Sequence, residues 1–138
     1  MGKNFWGDLS ELEEKRNPLD ILKEQSGYLL NATNNLIFAD LKNREPIPLI
    51  GEPNKQFATI FSIRSKMMEK YVFELFTLFY NITFFPLIVE LDENISEALN
   101  ISTTLSINNE DEFHQLLEDV LGNSFTKNVI ASLYSMSK

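Results

Sequence analysis

The segment Met67–Leu91 constrains this chain more than any other, because it is the most apolar region of the sequence. Lys70–Phe79 is rich in aromatic and β-branched side chains and reads as a strand. Phe84–Leu91 reads as a second strand, with Tyr80–Thr83 as the turn between them. Strict alternation places Tyr71, Phe73, Leu75 and Phe79 on one face. It places Val72, Phe76, Leu78 and Tyr80 on the other. A ribbon that is apolar on both faces must be covered on both. The alternative for Met67–Phe79 is a helix beginning near Ser65, since Met67, Met68 and Glu69 suit one. Glu74, Asn81, Thr83 and Pro86 interrupt the segment too often for it to span a bilayer.

The flanks supply cover for such a ribbon. Residues 1–16 form a polar leader with one apolar hook, Phe5–Trp6, and Asp8 and Glu11 have capping-box spacing for a short helical turn. Asn17 is a good N-cap, with Pro18 in the first helical position and Asp20 at the positive end of the dipole. Leu19, Leu22, Leu29, Leu36 and Ala39 then recur at helical spacing, which predicts a long helix ending near Lys42–Asn43. Pro46, Pro48 and Pro53 make the next stretch an edge strand or extended segment. Gln56–Ile63 and Asn100–Ile107 alternate as strands, and Asp92–Leu99 is a loop with one helical turn. Two helices close the chain. Asn109 caps the first, which buries Phe113, Leu116, Leu117, Val120 and Leu121 and stops at Gly122. Ser124 caps the second, which buries Phe125, Val129, Ile130, Leu133 and Met136. The expectation is a single α+β domain over residues 17–138. It has a mainly antiparallel sheet of about four or five strands, a long N-terminal helix and two C-terminal helices.

Composition narrows the chemistry. Twelve Lys and Arg face twenty Asp and Glu, a formal charge of -8, which repels phosphate backbones and argues against nucleic-acid binding. The absence of cysteine removes disulfides, thiolate nucleophiles and Cys-based zinc sites. No signal peptide and no membrane span is read, so a cytoplasmic protein is expected. The abundance of Asn, Lys, Ile and Phe matches AT-rich bacterial coding. Five scattered glycines form no phosphate loop or dinucleotide fingerprint, and no G-x-S-x-G elbow exists. No cofactor and no metal is expected.

The site candidates are therefore few. His114, the only histidine, lies one helical turn from Glu110 and Glu118. Asp111-x-x-His114 has the spacing of half a carboxylate-bridged metal site, which one histidine cannot complete. Glu13, Glu14 and Lys15, with Asp8 upstream, imitate part of a metal nuclease, but as a charge run in a polar leader. Glu74 and Glu90 sit inside apolar strands, where hairpin pairing can bring them together or near Arg64 or Lys70 as an acid–base pair. The aromatics Trp6, Tyr71, Phe73, Phe76, Phe79 and Tyr80 are interface candidates, since three helices cover only one sheet face.

These features point away from an enzyme. The leading expectation is an intracellular interaction or regulatory module acting through protein–protein contacts, with a homodimer burying the second sheet face. The second is an acidic inhibitor or immunity-type protein that masks a basic partner such as a nuclease. The third is a small-ligand binder or acid–base enzyme using pocket carboxylates.

Overall fold

A computed structural model describes residues 2–10, 17–46 and 55–138. Among these, four helices and a five-stranded antiparallel sheet make a mixed α+β fold. The expected proline-rich strand and the Glu13–Lys15 charge run fall largely or wholly outside the described residues.

Helix α1 (Pro18–Ala32) starts where the sequence places it. The Asn17 side chain accepts from the Asp20 amide, and the Asp20 carboxylate accepts from the Asn17 amide, a reciprocal cap. It stops ten residues before the predicted end. Asn34 and Asn35 both take left-handed φ values, 52° and 65°, which reverse the chain. Thr33 locks the corner, its hydroxyl donating to the Leu29 carbonyl and accepting from the Ile37 amide. Strand β1 (Ile37–Arg44) follows, burying Ile37 and Ala39 while Phe38 and Asp40 stay half-exposed. Ser26 of α1 donates to the Ala39 carbonyl and accepts from the Ala39 amide. One hydroxyl thereby satisfies both backbone groups of a residue on the sheet's edge strand.

The remaining strands are β2 (Phe57–Ser65), β3 (Met68–Tyr80), β4 (Leu87–Leu91) and β5 (Thr104–Ile107). They pair in chain order, β1-β2-β3-β4-β5. The Met67–Phe79 segment is strand, so the helical alternative falls. Lys66 and Met67 turn the β2–β3 hairpin, with the Met67 amide donating to Ser65 Oγ. Strand β4 begins three residues later than expected, because Phe84 has a φ of 67° and Pro86 has no amide to donate. Strand β5 is half its expected length. Helix α2 (Glu93–Leu99) takes the preceding residues for its own end, with Asn100 left-handed and the Ile101 amide bonded to the Ser96 carbonyl.

One irregularity overturns the two-faced ribbon. Phe61 pairs with Phe76, but its neighbour Ser62 pairs with Glu74, so Leu75 is an extra residue in β3. Strict alternation fails there. Phe73, Leu75, Phe76, Leu78 and Tyr80 all join the helix-covered core. Only Phe79 is left as a large apolar group of β3 in a separate small cluster, with Ala58 and Ile88.

Helices α3 (Glu110–Leu121) and α4 (Ser124–Ser137) complete the core with α1 and α2. Asn109 and Gly122 bound α3 as expected. The cap of α4 is Asn123 rather than Ser124: its side chain accepts from the Thr126 amide and donates to the Val120 carbonyl. The inward column of α4 is Thr126, Leu133 and Ser137. Both hydroxyls are bonded, Thr126 to the Val120 carbonyl and Ser137 to Ser65 and the Leu133 carbonyl. Phe125 and Val129 are consequently half-buried on the flank, and Met136 is exposed.

Candidate functional site

The hairpin brings Glu74 and Glu90 into one cleft of about 200 Å³, together with Arg44, Thr77 and Asp92. The basic residue that lines this cleft is Arg44 of β1, not Arg64 or Lys70. Arg64 instead meets Asp40 at 3.5 Å and the Glu69 carbonyl at 2.9 Å. Both glutamates are exposed, so water rather than apolar surroundings solvates them, and the cleft lacks the desolvation that tunes a catalytic acid.

His114 is also exposed. Its Nε2 lies 3.4 Å from Glu110 Oε1 across one helical turn, an ion pair when the imidazole is protonated. An exposed pair of this kind contributes little to stability. The ring borders an open cleft with Ile21, Gln25 and Glu118. Among the described residues no group of three His, Asp or Glu side chains converges as metal ligands.

The interface candidates divide. Phe76, Phe79 and Tyr80 are interior and present no surface to a partner. Phe76 stacks on Phe61 with centroids 5.2 Å apart. Phe79 is fully buried under the Arg44 guanidinium, 5.4 Å from its ring. Tyr80 packs on Phe84, and its hydroxyl bonds Thr59 at 2.9 Å. Phe73 is half-buried against Phe125 of α4. Trp6 and Tyr71 are exposed. The burial of Ala58, Phe79 and Ile88 within one chain removes the apolar centre on which a dimer across the second sheet face was to rest.

The exposed apolar surface lies elsewhere. A groove of about 340 Å³ runs between α4 and the start of β3, lined by Met68, Tyr71, Phe125, Val129 and Met136 among others. Met136 is 66% exposed, and Met67 beside the groove 65%. Every methionine after the first is thus on or next to this groove. The signal missed in the sequence is the buried hydroxyl column of α4, which leaves Phe125 and Val129 half-buried on the flank and Met136 exposed.

The chain matches no protein-family model, no curated protein and no solved structure. What distinguishes the chain is the segregation of charge along its sequence. Residues 71–126 contain ten Asp and Glu and no Lys or Arg, whereas the rest of the chain holds the other ten acids and all twelve Lys and Arg. Apart from the half-buried cap Asp92, these ten acids are exposed, on β3, β4, α2 and α3. Glu97, Glu118 and Asp119 stand in the last turns of α2 and α3, where the helix dipole disfavours negative charge and no basic residue answers it. Among the described residues no helix is long and apolar enough to cross a membrane.

Proposed function

We propose that this chain is a non-catalytic protein–protein interaction module whose acidic surface, centred on α2 and α3, receives a partner rich in Lys and Arg. The observation that carries this reading is the run of ten exposed or half-exposed acids uninterrupted by a base. A field of one sign steers an oppositely charged partner and raises its association rate. Three of the carboxylates stand at helix C-terminal turns, where they oppose folding, so their placement favours something other than stability. A masking role towards a basic, phosphate-binding surface follows from the same charge. A cytoplasmic location is part of the same proposal, and a chain without cysteine is compatible with it.

The test is affinity capture from the source cell with the full chain and with a Glu97→Lys, Glu118→Lys, Asp119→Lys triple variant, each washed at low and high salt. The expected result is a basic protein retained by the parent chain at low salt, released at high salt and absent from the variant. Capture of the same proteins by both chains, indifferent to salt, overturns the proposal.

A further inference from the structure

The groove between α4 and β3 and the leader have complementary properties. The groove is apolar and rich in methionine, whose flexible thioethers adapt to aromatic guests. Its charged neighbours are mainly basic. Lys66 and Lys70 flank Met67 and Met68 on the hairpin beside a single acid, Glu69, and α4 carries Lys127 but no acid. In a chain of charge -8 this end stands apart.

The leader is the converse. Residues 5–14, FWGDLSELEE, hold four carboxylates and no Lys or Arg. Phe5, Trp6 and Leu9 gather three large apolar side chains within five residues of it. Asp8 accepts from the Ser10 hydroxyl and amide, and these bonds hold its carboxyl below the usual carboxylate range. Among the described residues the hook is largely uncovered: Phe5 is 86% exposed with only the Lys3 ammonium over its ring, Trp6 82% and Leu9 51%. One short acidic segment thus leaves three large apolar side chains in water, and the same molecule carries an apolar groove flanked by lysines.

We infer that the leader of one copy docks in the α4–β3 groove of a second copy. Exchange in both directions makes a two-fold dimer in which each groove is filled by the partner's Phe5, Trp6 and Leu9. The acidic side stays outside this contact, so the inference stands apart from the proposed function.

Trp6 is the only tryptophan and reports its own docking. The full chain should show Trp6 emission that shifts to the blue as concentration rises, in step with dimer formation in sedimentation. Phe5→Ala in the leader and Met136→Glu in the groove, both at exposed positions, should each weaken the dimer by about tenfold or more, as loss of an interface anchor does. Mixing supplies the decisive arm. A Met136→Glu chain keeps Trp6 but has a charge in its groove, and a Phe5→Ala, Trp6→Ala chain keeps the groove but has no tryptophan emission. Their mixture should regain the blue shift that neither has alone. Three results overturn the inference: emission of solvent-exposed tryptophan at every concentration, a blue shift independent of concentration (the leader seated on its own chain), or a dimer indifferent to both substitutions.

Discussion

Gly27 and Gly122 should respond to alanine in opposite directions. Gly27 is exposed in the middle of α1, and a Cβ there meets nothing within 4 Å. Gly27→Ala should therefore stabilise the fold by about 0.5–1 kcal/mol, the difference in helix propensity. At Gly122, a Cβ would stand 2.8 Å from the Glu118 carbonyl oxygen, which the Gly122 amide already engages. Gly122→Ala should cost about 1–3 kcal/mol, the range for forcing atoms into filled space. Denaturant midpoints of the two variants check both signs. At this scale the sequence is legible wherever one residue type has one dominant use: Asn17 and Asn109 as caps, Pro18 at the first helical position, Gly122 as the stop. It misleads at Asn34 and Asn35. These lie within the apolar spacing from Leu29 to Leu36 without breaking it, yet asparagine tolerates a left-handed backbone, and two in succession turn the chain. The buried and half-exposed alternation of Ile37, Phe38, Ala39 and Asp40 is the period-2 signal that the helical stripe conceals.

A single inserted residue decides the character of β3. Without the bulge at Leu75, the aromatic run divides between two faces and demands a second cover, as alternation alone predicts. With it, the run from Phe73 to Tyr80 turns mostly to the helices, and the opposite face keeps Val72, Glu74 and Thr77 with only Phe79 as a large apolar group. Periodicity cannot show a bulge in advance, because an inserted apolar residue among apolar residues leaves no mark in the pattern. Substitution along the strand should expose the division. Phe76→Ala removes a fully buried ring stacked on Phe61 and should cost about 3–5 kcal/mol. Val72→Ala, at a position 47% exposed, should cost less than about 1 kcal/mol. Equal losses at the two sites, measured by urea unfolding, would contradict this register. The site candidates follow the same logic. Glu74 and Glu90 meet in one cleft as cross-strand pairing suggests, but on the solvent-exposed face rather than among the apolar residues of the core.

Across the whole molecule, charge is divided as unevenly as hydrophobicity. The part of the chain from Tyr71 to Thr126 carries its ten acids without a basic residue, and these carboxylates repel one another through water over roughly the Debye length, about 8 Å at physiological salt. That repulsion is a cost of the folded state, because the unfolded chain spreads the same charges apart. Added sodium chloride should therefore raise the thermal midpoint of the parent protein. The Glu97→Lys, Glu118→Lys, Asp119→Lys variant adds two units of charge at each site and moves the net charge from -8 to -2. It also puts cations at the ends of α2 and α3, where each is worth about 0.3–1 kcal/mol against the helix dipole. The variant should melt higher than the parent at low salt and respond less to salt, even as it loses its basic partner. Opposite movement of stability and binding separates a surface kept for recognition from one kept for folding. A variant that melts lower, or a parent indifferent to salt, would show that the acids are neutralised within the fold and that no long-range field remains for a partner to follow.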